Sequence, residues 1–169
     1  MGGAEPRKNV QTVLNAFEIF KKNGYPHKLV IVGESKWDDH VLTIPSTILN
    51  DVEFKGHIND MELFNLVKNT RGFIFPSFYE GFGLPVLEAV FAGVPAIVAD
   101  NTSLKEIYNE SCLMVETMKA KSYAEAMENV AETGNYLINK QNYDLIKKRF
   151  NWDNSAKELM RIFLKYSNR

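Results

Sequence analysis

The pattern of hydrophobic and polar positions alternates between helical and strand periodicity along the chain. Residues 8–22 place apolar side chains at spacings of three and four, which predicts an amphipathic helix. Residues 28–33 form a short, almost wholly apolar run ending in glycine, which is typical of a strand buried on both faces of a parallel sheet. Further strands are predicted over 52–54, 72–76, 95–98 and 113–115, and further helices over 60–67, 85–91, 104–108, 119–133, 136–149 and 153–166. Residues 35–50 stay ambiguous because Pro45 would interrupt a helix there.

This alternation predicts an α/β fold. Strands that alternate with helices form a parallel sheet with helices on both faces, here followed by a helical C-terminal tail. A chain of 169 residues without repeats or internal linkers is expected to form a single domain over 1–169. The start, Met1-Gly2-Gly3-Ala4, has no strand before it, and we expect that the chain was cut from a longer protein.

Composition narrows the class of protein. With 45% hydrophobic and 24% charged residues the chain is globular, and a net charge of −1 argues against nucleic acid as a partner. The single cysteine, Cys112, is typical of a reduced cytoplasmic protein. No apolar run approaches the roughly 20 residues of a membrane span.

The segment after the strand predicted at 72–76 carries the most informative chemistry. Glycines at 81 and 83 permit close approach to a ligand, and Pro85 opens a helix whose free N–H groups form an anion site. Glu80 and Glu88 flank this site, and each could accept hydrogen bonds from hydroxyls, one on a sugar and one on a ribose. The alternative is that Glu88 only favours the helix start and that Glu80 is solvated, and the loop alone favours this alternative.

Two other clusters have a functional and a structural interpretation. Arg7 and Lys8 stand at the unfavourable end of a helix dipole, so they either bind a diphosphate or form a solvated charged turn. His57 either lines a pocket or belongs to a turn. The run Asp38-Asp39-His40 could ligate a metal, but adjacent side chains seldom converge, and we expect no metal.

The last predicted helix carries an apolar stripe and a basic stripe. The apolar residues are Trp152, Ala156, Leu159, Phe163 and Tyr166, and the basic ones are Lys157, Arg161 and Lys165. We expect the apolar face to pack on the core, with peripheral contact to an anionic membrane surface as the alternative.

Residues 80–88, Glu-Gly-Phe-Gly-Leu-Pro-Val-Leu-Glu, resemble the E-x7-E signature of family 4 of the retaining glycosyltransferases. The Gly93-Val94-Pro95 turn and strand after it, Arg7-Lys8-Asn9, the Leu29 to Gly33 run, Phe54 to Ile58 and Ser103 to Glu106 match that family in order. The family has the GT-B architecture of two facing Rossmann-like domains, and this chain is similar to the C-terminal, donor-binding one. The resemblance therefore implies a Rossmann-like doubly wound parallel sheet whose N-terminal acceptor domain is absent.

The resemblance also implies roles for individual residues. Lys8 would clamp the donor diphosphate, the family's partner arginine falls at Gly3, and Arg7 would replace it. Glu80 would contact the transferred sugar and Glu88 the ribose. The other donor-binding positions implied are Gly33, Gly56, His57, Ile58, Gly81, Phe82, Gly83 and Leu84, acting largely through main chain.

The function implied is transfer of a sugar, with retention, from a GDP- or UDP-sugar to a saccharide or lipid-linked saccharide acceptor. No metal or cofactor is implied. Cell-surface polysaccharide synthesis, in the cytoplasm or at the inner face of the plasma membrane, is the expected setting, with GDP-mannose as a candidate donor. A GT-B-like nucleotide-sugar epimerase, a phosphorylase and a non-catalytic nucleotide-sugar-binding module are the alternatives.

Overall fold

The computed structural model describes residues 5–33, 42–134 and 140–167 of the chain. The strands are β1 (Leu29–Val32), β2 (Val52–Gly56), β3 (Phe73–Phe75), β4 (Ala96–Ala99) and β5 (Leu113–Val115). The helices are α1 (Val10–Lys22), α2 (Asp60–Lys68), α3 (Leu84–Phe91), α4 (Thr102–Tyr108), α5 (Ala120–Thr133), α6 (Lys140–Arg149) and α7 (Trp152–Ser167), with 3₁₀ turns over Pro6–Lys8 and Ser46–Asp51. The predicted alternation of helices and strands is confirmed, and the predicted helical positions 136–139 lie outside the described residues.

All the strand pairs within the described residues are parallel, as predicted, and they form two hydrogen-bonded ladders. One ladder joins β1 to β2, and the other has β4 between β3 and β5. Residues of both β1 and β3 line an apolar cavity of about 450 Å³. The prediction that the β1 run is buried on both faces is wrong, since all four of its residues are only half-buried beside this cavity.

The core lies on both sides of β4, whose four residues are all buried. Ile97 packs with α1 and α5, whereas Ala96 and Val98 pack with α3 and α4. This division follows from the strand period of two, which turns successive side chains to opposite faces. The expectation of helices on both faces of the sheet is therefore confirmed.

Helix α7 does not pack on the core, contrary to prediction. Every residue of α7 is exposed, including Trp152 at 89%, Phe163 at 58% and Tyr166 at 57%. Helical periodicity shows which face is apolar, but it does not show what covers that face. None of the helices in the described ranges has the length and hydropathy to cross a bilayer.

Candidate functional site: the carboxyl ends of β3 and β4

The loop after β3 turns into α3 at Gly83. This glycine caps the helix in the left-handed region, with φ 79°, and its carbonyl accepts a hydrogen bond from Tyr108 Oη at 3.1 Å. A Cβ added at Gly83 would lie 2.6 Å from Cδ2 of the buried Leu104. Both the backbone conformation and the space therefore require glycine here. Helix α3 begins at Leu84, one residue before the predicted start, with Pro85 in its first turn.

Glu80 is the centre of an ion cluster that joins this loop to the start of the chain. Its Oε1 atom lies 2.7 Å from Lys8 Nζ and 2.7 Å from Arg7 Nη1. Arg7 Nη2 also contacts Glu5 Oε2 at 2.8 Å, and Lys8 Nζ lies 5.2 Å from the centroid of the Phe75 ring. The side chains of Lys8 and Glu80 are only 12% and 14% exposed, so solvent screens their attraction less than it screens a surface pair.

The cluster keeps Glu80 ionised. Burial works to raise the pKa of the Glu80 carboxyl, but the hydrogen bond from Lys8 and the charges of Lys8 and Arg7 outweigh it, so the pKa is lower than usual. The sequence analysis gave Arg7 and Lys8 either a diphosphate or solvent as their partner, and in this structure both contact the Glu80 carboxylate instead.

The two cations precede α1, whereas the sequence analysis placed them at the opening of the first helix and began that helix at residue 8. They lie in the 3₁₀ turn Pro6–Lys8, and Asn9 adopts a left-handed conformation with φ 54° before α1 begins at Val10. The buried Asn9 side chain donates from Nδ2 to the carbonyl oxygens of Pro76 at 3.2 Å and Thr117 at 2.8 Å. Asn9 therefore fixes the cationic turn to the loop after β3, a role that the sequence analysis did not assign to it.

Glu88 occupies a separate position, in the second turn of α3. Its carboxylate makes no hydrogen bond or ion pair with the residues that the structure describes. Partial burial, and secondly the charge of Asp60, raise the pKa of Glu88. Within the described residues the structure does not bring Glu88 into contact with the Glu80 cluster.

The glycines at the ends of β1 and β2 lie together. The Gly33 N–H donates to the Gly56 carbonyl at 2.8 Å, and both residues have positive φ, 130° and 61°. His57 follows as an exposed residue and Ile58 is half-buried. These predicted donor-binding residues form a second group that no described contact joins to Glu80.

The remaining predicted residues lie in the loop after Glu80 and at the first position of α3. Gly81 is exposed, with open space where a side chain would be, and Leu84 is 57% exposed. The Phe82 ring packs edge-on against Phe150, with ring centroids 5.1 Å apart, and also contacts Tyr108. Phe82 can therefore offer a ligand its main chain while its ring stabilises the loop.

A metal centre was not expected from the sequence. Over residues 5–33, 42–134 and 140–167, no three His, Cys, Asp or Glu side chains are grouped to hold a metal ion. The Asp38-Asp39-His40 run and Gly3 lie outside the described residues.

Comparisons with known proteins are consistent with this fold. The structure is similar to HepE of Anabaena, solved in complex with UDP, with a TM-score of 0.81 and 17% identity over 97% of this chain and 48% of that one. It is also similar to the C-terminal domain of LpcC, a group 1 glycosyl transferase of Francisella tularensis, with a TM-score of 0.70 and 20% identity over 90% of this chain and 84% of that one. The fold is thus an α/β fold of the kind found in GT-B glycosyltransferases.

The sequence comparisons give the family. The model of glycosyl transferases group 1 matches residues 1–161, and the chain belongs to that family. It is 36% identical to O-antigen chain mannosyltransferase B of Escherichia coli over 122 residues, which are 69% of this chain and 32% of that protein. The chain therefore spans about a third of the length of this curated relative.

Proposed function

We propose that this chain is the donor-binding domain of a retaining glycosyltransferase and that it binds a nucleotide-diphospho-sugar with GDP or UDP as the nucleotide. The observation that carries the proposal is the Lys8–Glu80–Arg7 cluster, because it places two cations beside the loop that leads into α3. Cations and helix-terminal N–H groups together form the environment that binds a diphosphate.

The comparisons support a nucleotide sugar as the class of donor that this chain binds. HepE, which shares the fold, was solved with UDP and with UDP-glucose. Relatives by sequence are named mannosyltransferases that act on O-antigen chains. GDP-mannose and UDP-glucose are therefore the first donors to test, and a saccharide or lipid-linked saccharide of the cell surface is the proposed acceptor.

The proposed mechanism begins with an exchange of anions. The donor diphosphate replaces the Glu80 carboxylate as the partner of Lys8 and Arg7. The main-chain N–H groups of 81–84 lie around the phosphate and the sugar. Glu80 is then free to accept hydrogen bonds from sugar hydroxyls, while Glu88 accepts them from the ribose. During transfer the bond from the anomeric carbon to the diphosphate breaks with its electron pair on the phosphate, and the two cations stabilise that charge. The acceptor hydroxyl oxygen forms the new bond to the anomeric carbon on the retained face, and its proton passes to an oxygen of the departing diphosphate. The proposal requires no metal.

Binding of the acceptor is assigned to a further domain of the full-length protein. That domain is proposed to contact the apolar face of α7, because Phe163, Leu159 and Tyr166 are all more than half exposed. The proposed location is the cytoplasm, at the inner face of the plasma membrane. The positioning of two reactants can account for about 7–11 kcal/mol of a barrier. We therefore propose that this chain alone binds donor and does not transfer the sugar.

Calorimetric titration of the chain with UDP and with GDP tests the binding proposal. We expect saturable heat with at least one of the two nucleotides and a matching rise in melting temperature. No heat and no thermal shift at millimolar nucleotide would overturn the proposal.

A further inference from the structure

Ser103 contacts the main chain of the residue at the centre of the ion cluster. Its Oγ donates a hydrogen bond of 2.7 Å to the main-chain oxygen of Glu80, the usual length for an O–H···O bond. Glu80 follows β3 and Ser103 lies in the first turn of α4, after the neighbouring β4, so the bond joins the loop after β3 to the start of α4 at the carboxyl end of the sheet. Ser103 itself is held by α4, whose Leu104 and Tyr108 are fully buried.

The Ser103–Glu80 bond lies at the end of the part of the loop that other hydrogen bonds anchor. The preceding residues are anchored by Asn9 Nδ2 to the Pro76 oxygen at 3.2 Å, Asn101 Nδ2 to the Ser77 oxygen at 2.9 Å, and the Phe78 N–H to the Arg7 oxygen at 2.9 Å. Gly81, which follows Glu80, is exposed and has open space around it. Ser103 therefore holds the main chain at the boundary between an anchored segment and an open one.

We propose that Ser103 is a positioning residue that fixes the Glu80 carboxylate between Lys8 and Arg7. Both cations share one atom, Oε1 of Glu80, and both distances are 2.7 Å. Charge-assisted hydrogen bonds of this kind depend on geometry, so a small displacement of the Glu80 main chain weakens both contacts. The claim that Ser103 positions Glu80 is based on contacts within this chain. The expected effect of Ser103 on binding of the donor sugar rests on the proposed function.

The first test needs no ligand. The carboxyl of Glu80 is titrated by carbon NMR in the wild-type chain, Ser103→Ala and Ser103→Thr, with the signal assigned through Glu80→Gln. The matched control is Ser111→Ala, which removes another hydroxyl-to-carbonyl bond, from Ser111 Oγ to the Tyr108 oxygen at 3.3 Å, beyond the far end of α4. We expect Ser103→Ala to move the pKa of Glu80 upward towards the ordinary value, and Ser103→Thr and Ser111→Ala to leave it in place. An unchanged pKa of Glu80 in Ser103→Ala would overturn the inference.

The second test separates the inference from the proposed function. Wild type, Ser103→Ala and Ser111→Ala are titrated with UDP, GDP, UDP-glucose and GDP-mannose. We expect Ser103→Ala to weaken binding of the sugar nucleotide about two- to tenfold, the range for one neutral hydrogen bond, and to change free-nucleotide binding little. Equal weakening of sugar nucleotide and free nucleotide would contradict the assignment to the sugar. Failure of the wild type to bind any of the four probes would overturn the proposed function, and the carboxyl titration would still decide the role of Ser103.

Discussion

Lys8 Nζ and Glu80 Oε1 lie 2.7 Å apart although the two residues are 72 positions apart in the sequence. The contact forms because both the turn before α1 and the loop after β3 lie at the carboxyl end of β3. In α/β sheets this is the edge at which ligands bind. The pair therefore holds a cation in place at that edge before a phosphate reaches it.

The Lys8 side chain is expected to bind the donor diphosphate. Lys8→Ala removes a charge-assisted hydrogen bond that contributes about 1.5–3 kcal/mol to binding. Its loss should lower the affinity for UDP or GDP by about tenfold to more than a hundredfold. The control is Lys22→Ala, which removes an exposed lysine paired with Glu18 at the other end of α1. Calorimetry should show weaker binding in Lys8→Ala alone, and equal affinities in both variants would exclude Lys8 from the nucleotide site.

Glu80 and Glu88 are expected to act on different parts of the donor. Glu88→Ala should weaken free-nucleotide binding about tenfold or more, because it removes a bond to the ribose. Glu80→Ala should not weaken it to the same extent, since the Glu80 carboxylate competes with phosphate for Lys8 and Arg7. Dissociation constants for UDP or GDP measured on both variants test this division, which is wrong if both lose affinity equally.

The two carboxylates should affect stability with opposite signs as the pH changes. The pKa of Glu80 is lowered in the fold, so its ionised form contributes stability above the unfolded pKa, and that contribution is lost as pH falls through the folded pKa. The pKa of Glu88 is raised, so its contribution is present below the unfolded pKa and is lost as pH rises through the folded pKa.

Urea unfolding of Glu80→Gln and Glu88→Gln at pH 7 and at pH 3 checks these signs. Relative to wild type, Glu80→Gln should be less stable at pH 7 and Glu88→Gln should be more stable. Both differences should shrink at pH 3, because this pH lies below the ordinary pKa of a glutamate and the carboxyls of the unfolded chain are then protonated. A destabilisation by Glu80→Gln that is the same at both pH values would show that its charge is not responsible.

Gly83 and Gly81 provide a matched pair for the conformation of the loop. Gly83→Ala places a side chain at φ 79° and 2.6 Å from Leu104 Cδ2, so it should cost about 2–4 kcal/mol from left-handed strain and overpacking. Gly81→Ala has open space and no positive φ, so its cost should stay within about 0.5 kcal/mol. Thermal unfolding of the two variants distinguishes them, and equal melting temperatures would contradict the account of Gly83.

Local patterns in the sequence predicted much of the fold. The strand β4 could be predicted because a strand that is covered on both faces is apolar throughout. The amphipathic helices could be predicted because burial of one face imposes a period of about 3.6 on the sequence. Gly83 and Pro85 indicated the start of a helix because each residue type restricts or permits backbone conformations independently of the rest of the fold.

Features that depend on tertiary structure could not be predicted from the sequence. The half-burial of β1 depends on the cavity that it shares with β3. The exposure of α7 depends on whether another part of the fold covers its apolar face. Asn9 ends the cationic turn with a positive φ that helical periodicity does not reveal. The charge pattern left open whether Arg7 and Lys8 bind an anion or face solvent, and only the tertiary structure shows Glu80 between them.

A crystal structure of the chain with UDP or GDP bound tests the central claim most directly. We predict that a β-phosphate oxygen lies within hydrogen-bond distance of Lys8 Nζ, beside the start of α3, and that Lys8 Nζ has moved away from Glu80 Oε1. Nucleotide bound elsewhere, with the 2.7 Å contact between Lys8 and Glu80 intact, would contradict the assignment of this cluster to the donor diphosphate.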